Sequence, residues 1–360
     1  MNAKMLADRN MVVVIDNNLA ERHQIAAAIE ARYDVKDYAE LDEAIIRLSG
    51  KHPAALIVDE KTRPPGRGGL VPTLRGVFSD VPIILCASPG WPQDGADVLL
   101  DKPFRRSRLI SALSRVTNQA VEEGWNSLPA PHPQTLRKSI DTFNHITELI
   151  EVGEPLVYDR VVDVCAPLVD AVTGSQYKPL LNALQRHDNA HYVHSLRVAT
   201  LLSLFGHSIG LKDDALLILA TGGLLHDLGK TLEGLNIVNE PRRLTAQELK
   251  KVHWHVTSTL DYLEHHTDVP KGVRTIALLH HERLDGSGYP NGIKGAKLND
   301  LARMAAIVDV YSALTERRSY RPALMAKDAF ALMSTEMHAS LDQRLLGIFR
   351  DLLENGACDA

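Results

Sequence analysis

Ala215–Lys230 reads ALLILATGGLLHDLGK: an apolar and small-residue run, then an imidazole, a carboxylate and a Leu-Gly-Lys ending. The run reads as a buried helix, and burying His226 beside Asp227 at its end costs free energy unless the pair is hydrogen-bonded or metal-bound. The same arrangement recurs outward along the chain. His280 and His281 follow Thr275–Leu279 and lead into Glu282 and the loop from Asp285 to Pro290, and Asp309 follows Met304–Val308. Eleven of the sixteen histidines lie between His187 and His281, little more than a quarter of the chain. One such histidine is ordinarily a hydrogen-bonded core residue. Several together, with carboxylates and without thiolates, point to a metal site suited to iron or manganese, with zinc also in range.

Helical apolar spacing extends from Asp159 to Leu353, interrupted by the Gly/Pro segment Asp285–Gly295. Before it, Gln134–Glu151 reads as an amphipathic connecting helix with Leu136, Ile140, Phe143, Ile146 and Ile150 on one face. Glu122–Pro133, with three prolines, should interrupt regular structure. The first 118 residues have another texture. Met11–Ile15, Ala54–Val58, Val81–Cys86 and Val98–Leu100 read as parallel strands, alternating with helical Leu19–Ala31, Leu41–Leu48 and Ser107–Val116. Asp16 and Asp59 each follow a strand, at the carboxyl edge where open α/β sheets place their sites. The expected organisation is multi-domain: an α/β domain over 1–118, a linker and connecting helix over 119–152, and an all-α domain over 153–360.

Composition narrows the function. The chain has 360 residues, 45% of them hydrophobic, and a net charge of −5, which excludes extensive disorder and argues against a general DNA binder. No apolar run is long enough for membrane insertion, and the N-terminus lacks a signal-peptide core. Cys86, Cys165 and Cys358 are odd in number and far apart, so a reducing cytoplasm is expected.

Read together, these residues resemble the HD-GYP phosphodiesterases of the HD metallohydrolase superfamily. The resemblance runs from about Asp188 to Arg321, through His194, His226-Asp227-Leu-Gly-Lys230, Leu244-Thr245 with Glu248, His255, His280-His281-Glu282, Asp285-Gly-Ser-Gly-Tyr-Pro290 and Asp309. It implies two divalent metals, one held by His194, His226, Asp227 and Asp309, the other by Asp227, His255, His280 and His281. It implies catalytic roles for His226, Asp227 and Lys230, and substrate contacts from Lys230, Asp285, Gly286, Tyr289, Arg318 and Arg321. Two metals some ~3.5–4 Å apart can activate a hydroxide for in-line attack on phosphorus. The implied substrate is cyclic di-GMP, opened to linear pGpG, with onward cleavage to GMP left open. This chain departs from the pattern at Ala190, where a third-metal glutamate is usual, and at Ser312, where a supporting aspartate is usual. Glu240 and Ser319 depart similarly. His253, two residues before His255, is expected to face elsewhere on its helix.

Met11–Asn118 resembles the receiver domain of bacterial response regulators, of flavodoxin-like fold. Asp59 takes the phospho-acceptor position, and Asp16 and Lys102 the pocket positions. Asn17 replaces the second pocket acid and Ala87 the pocket hydroxyl, which weakens Mg²⁺ binding. The implied partners are a sensor kinase or a diguanylate-cyclase-type protein, and a homodimer is compatible. The reading set against the enzyme is a catalytically weak or inactive signalling module that binds the nucleotide or a partner protein. A hydrolase of ordinary nucleotides leaves the GYP loop without a purpose.

Overall fold

The computed structural model describes residues 11–30, 33–62, 69–92, 95–184, 190–232, 245–265, 268–316 and 323–356. The chain divides into two compact units, residues 1–120 and 121–360.

In the first unit, β1 (Met11–Ile15), β2 (Asp34–Tyr38), β3 (Ala55–Asp59), β4 (Ile83–Ala87) and β5 (Val98–Asp101) form one sheet. All pairs are parallel and the order is 2-1-3-4-5, the flavodoxin-like order of doubly wound sheets. Alternate side chains divide between two cores. Val13, Ile15, Leu56, Val58, Ile83 and Leu85 face α2 (Leu41–Arg47) and α3 (Leu70–Val77). Val12, Val14, Ile57, Ile84 and Cys86 face α1 (Leu19–Ile29) and α4 (Arg106–Gly124). Strand β2 has no counterpart in the apolar runs. Its sequence, DVKDY, is charged and partly exposed because it forms an edge of the sheet. Helix α3 likewise extends the sequence reading.

The second unit is helical among its described residues. It comprises α5 (His132–Val152), α6 (Tyr158–Thr173), α7 (Tyr177–Leu184), α8 (Ala190–Ser208), α9 (Asp214–Leu225), α10 (Gly229–Leu232), α11 (Ala246–Glu264), α12 (Lys271–Leu279), α13 (Asp300–Thr315), α14 (Ala326–Thr335) and α15 (Gln343–Gly356). Helix α5 does more than connect, since Leu136, Ile140, Phe143, Ile146 and Ile150 are buried in the unit's core with α6. Its start is spaced from α4 by a 3₁₀ turn at Trp125–Ser127 and the following prolines. Helix α9 lies at the centre, packed against α8, α12 and α6, which explains why its sequence is apolar on all sides. Helix α11 begins with a capping box, Thr245 accepting from Glu248 N while Glu248 accepts from Thr245 N.

Candidate metal centre

Helices α8, α9, α11, α12 and α13 deliver their polar residues to one buried point. His194 lies in the second turn of α8, and His226 and Asp227 follow the last turn of α9. His255 projects from the middle of α11, His280 and His281 follow α12, and Asp309 comes from α13. All are buried except His281, which is half-buried.

Asp227 is the hub. Its Oδ1 lies 3.2 Å from His255 Nε2 and 3.6 Å from His280 Nε2. Its Oδ2 lies 3.3 Å from His226 Nε2 and 3.6 Å from His194 Nε2, and is also bonded by Lys230 Nζ. Asp309 stands across the same space. Its Oδ1 is 3.2 Å from His194 Nε2 and 3.8 Å from His226 Nε2, and its Oδ2 is 3.5 Å from His281 Nδ1. Two ligand groups result, His194–His226–Asp227 and Asp227–His255–His280–His281, sharing Asp227.

Donor chemistry tests whether metal ions fit this arrangement. The Nδ1–H groups of His226, His255 and His280 donate to the carbonyls of Gly223, Val252 and Ala277, each three residues back, at 2.8, 2.5 and 2.8 Å. Those bonds place the proton on Nδ1 and leave a lone pair on Nε2. All three Nε2 atoms are buried without a hydrogen-bond partner, as is Asp227 Oδ1. Inward-facing lone pairs with no proton to share, around one carboxylate, are what a divalent cation requires and what an apolar core penalises. The residues fit.

Electrostatics agree. Burial opposes ionisation of Asp227, but His226 and Lys230 outweigh it and hold this carboxylate well below its usual range. Burial likewise opposes the charge on Asp309, and His194 and His281 overcome it. Burial pushes His280 down to about 4, and burial together with His280 pushes His281 well down, keeping both imidazoles neutral as ligands must be. His194 differs: burial works against its charge, yet Glu316 and Asp309 raise it to about 9 in the metal-free chain.

The loop after His281 is folded against the centre. Glu282, fully buried, accepts from Asn291 N and Ile293 N at 2.7 and 2.9 Å. Gly288 packs so closely that a Cβ there would lie 2.5 Å from His281 O and Arg283 N. Tyr289 consequently stands over the cluster, its ring centroid 4.6 Å from that of His281. Asp285 is exposed and accepts from Ser287 N and Oγ, shaping the loop at a turn where Gly286 has φ +80°. Sequence reasoning left His253 without a role. Its ring stacks on Tyr289 at 3.7 Å and 11°, and the spacing that keeps it out of the cluster is what brings it to the loop. Glu316 was also overlooked; its carboxylate reaches His194 Nδ1 at 3.1 Å. Arg318, Arg321, Glu240 and Ser319 lie outside the described residues.

A second acidic group occupies the carboxyl edge of the sheet. Asp16, Glu21 and Asp59 approach one another, and Lys102 Nζ bonds Glu21 and lies 2.5 Å from Asp59. Burial pushes Asp16 up. Burial opposes the charge of Lys102, but Asp59 and Glu21 overcome it and raise its pKa. Glu21, on α1, was invisible to a reading that followed strand ends. Ser88 donates to Glu60 through both N and Oγ, at 2.9 and 2.7 Å. No helix among the described residues is long and apolar enough to cross a membrane.

The HD-domain family matches residues 176–345. A cyclic di-GMP phosphodiesterase of Pseudomonas aeruginosa is 34% identical over 187 residues, 51% of this chain and 45% of the relative. A 3'3'-cGAMP-specific phosphodiesterase of Vibrio cholerae is 31% identical over 160 residues, 44% of this chain and 35% of the relative. The chain thus spans less than half the length of these two relatives. The cyclic di-GMP phosphodiesterase response regulator RpfG of Xanthomonas campestris pv. campestris is 24% identical over 344 residues, 92% of this chain and 85% of the relative. A solved HDG"Y"P protein of Bdellovibrio bacteriovorus shares the fold, with a TM-score of 0.51 at 15% identity over 71% of this chain and 88% of that one. The residues that converge on the cluster all fall within the stretch that matches the HD domain, residues 176–345, and the chain is similar there to cyclic dinucleotide phosphodiesterases.

Proposed function

We propose that the helical unit is a metal-dependent phosphodiesterase that opens cyclic di-GMP to linear pGpG. The observation that carries this reading is the set of three buried Nε2 lone pairs converging on Asp227, with Asp309 opposite. His194, His226, Asp227 and Asp309 would hold one divalent ion, and Asp227, His255, His280 and His281 the other; imidazole and carboxylate donors favour iron or manganese. Bound there, the ions supply Lewis acidity towards phosphoryl oxygens and lower the pKa of water.

The chain's own residues do the remainder. Lys230 Nζ, tethered by Asp227, is positioned to meet a phosphate oxygen beside the ions. Tyr289, braced by His253, closes one side of the centre and excludes water from it. Gly286 and Asp285 set the loop that carries Tyr289, and Arg318 and Arg321 would grip the dinucleotide's phosphates.

The test is turnover by metal-reconstituted protein, offered cyclic di-GMP and 3'3'-cGAMP in parallel with product lengths resolved. Steady hydrolysis of cyclic di-GMP to pGpG is expected, with slower cleavage of 3'3'-cGAMP. Nucleotide bound but uncleaved by protein holding two ions would instead identify a binding module.

We further read residues 1–118 as a receiver-like domain, 119–152 as its connection and 153–360 as the hydrolase domain. The 2-1-3-4-5 sheet and the Asp16–Asp59–Lys102 grouping support that reading, with Asp59 as phospho-acceptor for a sensor kinase. Glu21 offers the carboxylate that Asn17 lacks for Mg²⁺. The buried free thiols of Cys86 and Cys165 support a cytoplasmic location.

A further inference from the structure

The carboxylate that steadies His194 does not come from the position where the family pattern carries one. That position holds Ser312, fully buried on α13 with its hydroxyl oxygen unpartnered. Asp309, Ser312 and Glu316 stand at i, i+3 and i+7, on one side of the helix. At Glu316 the backbone leaves the helix in extended form (φ −89°, ψ 141°). Its carboxylate turns inward, so that Oε1 and Oε2 lie 3.2 and 3.1 Å from His194 Nδ1. The side chain is only 11% exposed.

His194 needs such a partner more than the other ligands do. His226, His255 and His280 place their Nδ1 protons on helix carbonyls. His194 Nδ1 faces Glu316 instead, while its Nε2 lies 3.2 Å from Asp309 Oδ1. Without an acceptor at Nδ1, a neutral His194 would keep its single proton on Nε2, hydrogen-bonded to Asp309, and the lone pair needed by a metal would point away from the centre. We infer that Glu316 is the positioning residue of His194, holding the proton on Nδ1 and turning the Nε2 lone pair inward. It does from position 316 what an aspartate at 312 would do.

This rests on the two-metal reading, and the experiment separates the two. Zinc serves as a diamagnetic probe, titrated against a competing chelator into the full chain and into Glu316→Gln, which preserves shape and removes charge. One of two zinc equivalents should weaken by about 10–100-fold in Glu316→Gln while the other keeps its affinity. The Nδ1–H resonance of His194 in ¹⁵N-histidine-labelled protein should move upfield as its carboxylate acceptor is lost. Adding Ser312→Asp to Glu316→Gln should recover at least tenfold of the lost affinity. Wild-type affinity at both equivalents with an unmoved resonance overturns the inference, and so does a Ser312→Asp that recovers nothing. Uptake of fewer than two equivalents by the unsubstituted chain counts against the two-metal reading alone, because the resonance still decides the role of Glu316.

Discussion

At the scale of single residues, Asp227 meets four imidazole nitrogens and one ammonium group, so it belongs to both ligand groups. Replacing His226 and Asp227 together with alanine should abolish hydrolysis and remove both ions, read by metal analysis of the purified variant. Wild-type metal content there would overturn the central assignment. Arg318 and Arg321 carry guanidinium groups, which bind phosphate and are not metal ligands. Alanine at either should weaken nucleotide affinity by about 1.5–3 kcal/mol, a lost charge-assisted hydrogen bond, with metal content unchanged. Calorimetry on metal-quantified protein checks this, and unchanged affinity in both variants would return the pair to the solvent-exposed surface.

At the scale of elements, the centre depends on how closely helices approach. Gly229 opens α10 directly over α11. Its N–H donates to Thr259 Oγ1 at 2.8 Å, and a Cβ on it would collide with the backbone carbonyl of His255. Gly229→Ala should therefore push α11 away from Asp227 and carry His255 with it. The expected cost is about 1–3 kcal/mol of stability, together with weaker metal binding. Thermal unfolding and metal titration on one preparation read both effects, and loss of stability with intact metal affinity would show that His255 tolerates the shift. The sheet obeys a different rule. Its central strands were legible because continuous apolar runs are buried on both faces, whereas β2 was missed because an edge strand needs no such run.

At the scale of the whole molecule, two compact units share one chain, and each holds its own grouping of ligand side chains, histidine-rich in the helical unit and acidic in the sheet unit. Ions held by the assembled centre would stabilise the folded helical unit over the unfolded chain, so chelation should lower that unit's unfolding temperature. The loss is about 2.7 kcal/mol for each ion present at a hundred times its Kd. Calorimetry with and without chelator measures it, and the transition of the sheet unit should move little. Asp59→Asn should change hydrolysis by less than about twofold, because Ala87 stands where the pocket hydroxyl is usual and the neighbouring Ser88 bonds Glu60 instead. A stable phospho-adduct on Asp59 coupled to a large change in turnover would contradict this.

Residue types and their spacing were enough to expect imidazoles and carboxylates at the ends of apolar helices and a parallel α/β segment before them, whereas the set of seven side chains expected to meet came from the resemblance to the HD-GYP phosphodiesterases. Those signals are local, being apolar periodicity and the cost of burying a charge beside it. Only the tertiary structure decided which atoms face one another. The i−3 carbonyls that direct three Nε2 lone pairs inward depend on side-chain direction, while His253 stacked on Tyr289, Glu21 beside Asp59 and Glu316 behind His194 depend on which elements pack together. The physical reason is that a contact between side chains on separate elements leaves no periodic trace in the chain. It exists only once packing has set the distance between the elements that carry them.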